Sequence, residues 1–272
     1  MSVPWPGEGR LRAGGRSLEW RAAGPAPGQA PTLVLLHEGL GSMGLWRDLP
    51  EALAEATGWG AAAYSRAGYG RSDPADLPRP LDYMTREAVD VLPVVLDALG
   101  VRSCVLMGHS DGATIATIHA GSVADRRVRG LVLMAPHVFT EPEGLREIAR
   151  ARDAFEAGGL RGRLARHHDD AEATFRGWND AWLDPGFRDW DVADAIDHVR
   201  VPMLVIQGQD DPYGTAAQVE AYESRAYAPV EALMLEGCGH APHVDRRDAV
   251  LEAVAGFARR LARIEAAPGV PA

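Results

Sequence analysis

The chain has 272 residues with 38 acidic side chains against 28 basic ones, a formal net charge of -10, and all 28 basic residues are arginine. Without lysine there is no amine for a Schiff base, a Walker-type phosphate loop, a Ser-Lys dyad or a kinase-type phosphate clamp. The acidic balance argues against nucleic acid or an anionic membrane as the main partner and favours small molecules, while the length suits one large α/β domain with a small insertion.

Two cysteines, Cys104 in an apolar run and Cys238 in Gly237-Cys238-Gly239, are too few for a disulfide framework or a Cys-based zinc site. The start, Met1 to Pro6, lacks the basic-then-apolar pattern of a secretory signal. No segment reaches the roughly 18 apolar residues of a membrane span, so a soluble cytoplasmic protein is expected.

In chain order, residues 16 to 23 and 31 to 36, split by the turn from Gly24 to Pro31, read as a short edge hairpin followed by a buried strand, Thr32-Leu33-Val34-Leu35-Leu36. Short apolar runs bounded by Gly or Pro follow at 60 to 64, 103 to 107, 128 to 134, 202 to 206 and 230 to 235. Amphipathic stretches near 44 to 57, 81 to 99, 110 to 122, 214 to 226 and 243 to 265 separate them. Such alternation predicts a mostly parallel sheet with helices on both faces. The rhythm breaks from about 138 to 200, where charges, Trp178, Trp182, Trp190 and several candidate short helices replace the buried strand. This interval reads as a helical lid, dividing a core of 1–137 and 201–272 from an insertion at 138–200. From Ala266 to Ala272 a frayed tail is expected.

The most informative segment is the strand Cys104-Val105-Leu106-Met107 followed by Gly108-His109-Ser110-Asp111-Gly112 and a helix of small residues. A strand-to-helix turn this tight strains the central residue and tolerates only glycine on either side. It would present Ser110 at the carboxyl end of the sheet, at a helix N-terminus that favours a developing negative charge. A serine nucleophile needs a base and a group to orient the base. Two later loops offer them: Gly208-Gln209-Asp210-Asp211, after a strand, and Gly239-His240, before the last helix. The order Ser, Asp, His is the one this architecture uses.

With these motifs, and with His37-Glu38-Gly39 and Tyr64-Ser65-Arg66-Ala67-Gly68-Tyr69-Gly70-Arg71-Ser72-Asp73, the chain resembles the α/β-hydrolase fold family over about residues 16 to 262. The resemblance implies an α/β-hydrolase fold: a mostly parallel eight-stranded sheet flanked by helices, with the lid inserted after the sixth strand. It implies Ser110 as nucleophile, His240 as base and Asp211 as orienting acid, with Asp210 and His243 as the neighbouring alternatives. The backbone N–H of Asp111 and, by the same resemblance, of Gly39 would form the oxyanion hole. Glu38 stands where the family usually has glycine, and a carboxylate there would repel an oxyanion unless it is turned away or hydrogen-bonded.

The expected activity is hydrolysis of a small-molecule ester, thioester or lactone without cofactor or metal. A homodimer is compatible with the sequence. Carbon-carbon bond hydrolysis with the same triad, or non-enzymatic ligand binding, are the alternatives. Glu38, His137, Trp178 and Trp182 are candidate pocket residues, against packing roles for the aromatics. His109, inside the elbow, reads as structural. Lid arginines such as Arg146, Arg150 or Arg176 could meet an anionic substrate, although charged helices are usually solvated faces. Arg166-His167-His168-Asp169-Asp170 imitates a metal cluster, but adjacent helical residues point apart, so a solvated helix end is expected. Gly39-Leu40-Gly41-Ser42-Met43-Gly44 matches a dinucleotide-binding fingerprint, with Ser65-Arg66 placed for an NADP phosphate. That reading leaves Ser110, Asp211 and His240 unexplained.

Overall fold

The computed structural model describes residues 5–266; of the expected frayed tail, residues 267–272 lie outside it. Eight strands form one sheet in the order β1-β2-β4-β3-β5-β6-β7-β8. They are β1 (Gly7–Ala13), β2 (Arg16–Ala23), β3 (Thr32–Leu36), β4 (Gly60–Tyr64), β5 (Cys104–His109), β6 (Val128–Met134), β7 (Met203–Gly208) and β8 (Val230–Leu235). From β4 to β8 all neighbours are parallel, and β2 runs antiparallel to both β1 and β4.

The hairpin therefore differs from the sequence expectation. β2 pairs with β1 around the turn Gly14-Gly15 and on its other side with β4, not with β3. β1 escapes pattern reading because only Leu11 and Ala13 of its seven residues are buried, leaving a charged edge strand with no clear alternation. The long amphipathic stretches are also broken. Residues 81 to 99 comprise α2 (Tyr83–Arg86), a π-helical turn (Glu87–Val91) and α3 (Leu92–Ala98). The first predicted helix resolves into a 3-10 turn (Met43–Trp46) and α1 (Leu49–Thr57).

Strand residues alternate between two cores, as a sheet covered on both faces requires. Val34, Leu36, Leu106, Leu131 and Leu133 join one core, whereas Leu33, Leu35, Val105, Val132 and Met134 join the other. The second core is closed by α1 and by α10 (Arg247–Ala266) through Leu53, Val250, Val254 and Phe257. The first is closed by α2, α3, α4 (Asp111–Ser122) and the insertion. Between β6 and β7 stand α5 (Pro142–Glu156), α6 (Gly159–Leu164), α7 (Ala171–Trp182) and two 3-10 turns. Two short elements complete the chain, α8 (Ala216–Arg225) and α9 (Pro242–Asp245). Because β3 to β8 are parallel, the segments leaving them at 37–39, 65–66, 109–111, 135–137, 209–211 and 236–240 gather along one edge of the sheet.

Candidate active site

Ser110 sits between β5 and α4 with φ 53° and ψ -119°, a left-handed conformation that costs a non-glycine residue of order 1–3 kcal/mol. The flanking glycines permit it. A Cβ on Gly108 would overlap the Gly112 carbonyl and the Ala113 amide, and one on Gly112 would overlap the Leu36 carbonyl of β3. Ser110 N–H is held by Met134 O at 2.9 Å, which ties the elbow to β6.

Asp211 stands three residues past the end of β7 with its carboxylate fully buried. Oδ2 accepts from His240 Nδ1 at 2.8 Å and from Gln207 Nε2 at 2.8 Å, and Oδ1 accepts from Tyr213 N–H at 2.8 Å. Burial alone would raise this carboxyl. The His240 bond and charge, with the Tyr213 amide, outweigh it and hold Asp211 below the usual carboxylate range. Asp210 is exposed, and His243 is buried against Trp46 and His109, each 4.9 Å away between ring centroids. Neither alternative makes the histidine-carboxylate contact. Gly208 allows the two loops to meet, since a Cβ there would overlap the carbonyls of Cys238 and Gly239. Ser110 and His240 line one cavity. The two side chains do not hydrogen-bond to each other here, and catalytic contacts of this kind can tighten on substrate binding.

Gly39 and Asp111 border the same cavity, and among the described residues the N–H of neither makes a hydrogen bond. Gly39 is constrained by α7, because a Cβ would overlap the Trp178 indole. Glu38, the departure from the family pattern, curls back beneath Gly41 and lies 3.4 Å from His109 Nδ1, an ion-pair distance without hydrogen-bond direction. His109 Nε2 donates to His240 O at 2.6 Å. Burial works against both charges. The pairing nevertheless wins on each side, holding the Glu38 carboxyl well below its usual range and raising His109. The carboxylate next to Gly39 thus faces an imidazole whose protonated form it favours, and His109 also tethers the loop that carries His240.

The cavity encloses about 170 Å³. Trp178, Trp182, Leu145 and Ile148 from the insertion form its apolar wall, and His137 follows β6. The His137 ring lies 5.7 Å from Trp182 and 5.5 Å from His240, and burial lowers its pKa to about 3, so it is neutral. All four candidate pocket residues, Glu38, His137, Trp178 and Trp182, are therefore on the cavity surface. The arginines are not. Arg146 pairs with Glu143 at 2.6 Å, Arg150 with Glu147, and Arg176 with Glu172 at 3.1 Å, all on the outer helix faces.

One sequence reading changes. His168 is not part of a solvated helix end: it is buried, its Nδ1 accepts from Gly70 N–H at 2.9 Å, and its Nε2 donates to Leu40 O at 3.0 Å. It fastens the insertion to the loops after β3 and β4. No histidine, cysteine and carboxylate group suited to a metal occurs among the described residues. The fingerprint at 39–44 does not fit a dinucleotide phosphate. The Trp178 indole and the Glu38 carboxylate occupy the space at Gly39 and Gly41, and the α-helix begins only at Leu49. Ser65 and Arg66 are buried and already bonded within the protein.

A sequence profile of the alpha/beta hydrolase family matches residues 33–253. The chain belongs to the alpha/beta hydrolase family. Its sequence is similar to a proline iminopeptidase of Lactobacillus helveticus, 23% identical over 282 positions that span 89% of this chain and 94% of the relative. The fold is similar to the enol-lactonase from Burkholderia xenovorans LB400, with TM-score 0.71, 21% identity, and 92% and 99% of the two chains covered. It is similar also to the 2-hydroxy-6-oxo-6-phenylhexa-2,4-dienoate hydrolase of Rhodococcus sp. strain RHA1, with TM-score 0.75, 18% identity, and coverage of 93% and 98%. The activities named for these relatives differ from one another, and none of the described helices is long and apolar enough to cross a membrane.

Proposed function

We propose that this alpha/beta hydrolase is a serine hydrolase that cleaves a small-molecule ester, thioester or lactone through an acyl-enzyme at Ser110. The observation that carries the reading is the 2.8 Å bond from His240 Nδ1 to the buried Asp211 carboxylate, on the cavity that also holds Ser110 and two unengaged amides. Asp211 fixes the ring proton on Nδ1 and leaves Nε2 as the basic nitrogen. His240 Nε2 takes the Ser110 hydroxyl proton as the oxygen attacks the acyl carbonyl. The N–H groups of Asp111 and Gly39 receive the negative oxygen. As the carbonyl re-forms, the bond to the leaving group breaks and the imidazolium protonates that group. Water, deprotonated by the same imidazole, then releases the acid and frees Ser110.

Ester, thioester or lactone cleavage is favoured over hydrolysis of an anionic dienoate by what the cavity wall lacks. A substrate carboxylate calls for a cation, and among the described residues no arginine lines this cavity. Helices α5 to α7 act as a lid in this reading, their tryptophans closing the acyl side. Labelling with a fluorophosphonate probe, with hydrolysis of p-nitrophenyl esters of graded chain length beside lactones and acyl thioesters, tests it. Covalent modification at Ser110 together with turnover of short uncharged acyl substrates is expected. An unlabelled Ser110 in folded protein would exclude the nucleophile.

A further inference from the structure

The peptide between Glu38 and Gly39 is gripped from one side. Glu38 O accepts from His37 Nδ1 at 2.8 Å, Arg66 Nη2 at 3.0 Å and Gly41 N–H at 3.1 Å. His37 O, one peptide earlier, accepts from Arg66 Nη1 at 2.5 Å. The His37 tautomer is defined by its surroundings: Nε2 accepts from Arg66 N–H at 3.1 Å, so the ring proton resides on Nδ1 and is given to Glu38 O.

A trans peptide places its N–H antiparallel to its C=O. A Glu38 carbonyl drawn toward His37 and Arg66 therefore sends the Gly39 N–H the opposite way, and Gly39 borders the cavity that holds Ser110. Arg66 is 1% exposed and its guanidinium lies 4.9 Å from the Tyr69 ring centroid. The same guanidinium is 3.9 Å from the Asp111 carboxylate, which accepts from Tyr83 Oη–H at 2.5 Å, and Tyr83 Oη accepts in turn from Trp182 Nε1–H at 3.1 Å. One buried cation thus touches both segments whose amides face the cavity. Neutralising Asp111 cannot be its whole role, because its direct hydrogen bonds go to the two carbonyls and the carboxylate stands farther off.

We infer that Arg66 and His37 are positioning residues: they fix the Glu38–Gly39 peptide so that the Gly39 N–H is a preset oxyanion donor before substrate arrives. The inference rests on the serine-hydrolase reading for its catalytic consequence, but the peptide orientation itself does not. A glycine at position 39 leaves this peptide free to turn over, and a turned peptide would point a carbonyl at the oxyanion.

The test uses four variants of the full chain. His37→Asn sets an amide nitrogen where Nδ1 stands and keeps the bond to Glu38 O. His37→Gln carries its nitrogen at the Nε2 position and His37→Leu has none, so both lose it. Arg66→Lys keeps the charge beside Asp111 but cannot fork to two carbonyls. With a p-nitrophenyl ester, His37→Asn should retain kcat within about threefold. His37→Leu, His37→Gln and Arg66→Lys should lose roughly 10- to 100-fold in kcat with KM little changed, approaching the loss of one oxyanion donor. Crystal structures of the same variants read the peptide directly, and the Glu38 carbonyl should have turned in His37→Leu. Folded His37→Leu and Arg66→Lys proteins with parental kcat and an unturned peptide would overturn the inference. Should His37→Leu not fold, His37→Gln and Arg66→Lys decide in the same way. An unlabelled Ser110 in the parent would defeat the hydrolase reading, while the peptide orientation in the variants would still decide the clamp.

Discussion

At Glu38 a carboxylate lies next to the place where negative charge is expected to develop, and its compatibility with that charge depends on His109. The pair is complete only while Glu38 is ionised and His109 protonated. Since the His109 pKa is raised in the fold, its contribution to stability is full below the ordinary histidine pKa and is lost as pH rises through the raised value. The depressed Glu38 carboxyl contributes above the ordinary glutamate pKa and is lost only as pH falls through its lowered value. Between these limits the pair is intact. Thermal unfolding should therefore show a Tm that declines on the alkaline side, and Glu38→Gln should flatten that decline. In the same variant the alkaline fall in kcat should weaken, because no carboxylate is left to oppose the oxyanion; an unchanged alkaline limb would contradict this role. For the two neighbouring aspartates the expectation differs sharply. Asp211→Asn should lower kcat by about 10⁴-fold, the loss that follows when a triad histidine is left with the wrong tautomer, whereas Asp210→Asn should stay near parental activity.

Among the elements, the parallel strands and the elbow were legible in the sequence because each is a local pattern: a short apolar run, a bounding glycine, a helix of small residues. Ser110, Asp211 and His240 were legible for the same reason, each standing just past a strand end. What was not legible depends on contacts between distant segments. Arg66 and His37 meet across β4 and β3, Tyr83 reaches Asp111 from α2, and His168 reaches back from the insertion to Gly70 and Leu40. The physical signal for Arg66, beyond its place in a family-like stretch, was its position at the carboxyl end of a buried strand, where a charged residue requires a partner. β1 was missed because an exposed edge strand buries too little to show alternation. His168→Leu tests the fastening of the insertion. It strands a buried amide at Gly70 and a carbonyl at Leu40, each costing about 1–3 kcal/mol when unsatisfied. A drop in Tm is expected, together with faster proteolysis within residues 142–198. A Tm equal to the parent's would show that the fastening does not matter.

On the scale of the whole molecule, the net charge of -10 and the arginine-only cation set have a limited bearing on chemistry. The proposed mechanism uses a hydroxyl, an imidazole, a carboxylate and backbone amides. The one arginine it draws on, Arg66, orients backbone instead of binding substrate. In the proposed function, the cavity of about 170 Å³ between the sheet edge and the insertion is what the acyl group must fit. Short acyl esters should be turned over faster than long ones, and Trp182→Ala, which opens the apolar wall and frees Tyr83, should shift the chain-length optimum upward while lowering kcat for the short esters. The central claim is that Ser110 is a nucleophile activated by His240. Its most direct measurement is intact-protein mass spectrometry after exposure to a fluorophosphonate, with the modified peptide mapped for the parent and for His240→Ala. A single adduct on Ser110 that disappears in His240→Ala is the predicted result; a folded parent that stays unmodified, or labelling that persists without His240, would contradict it.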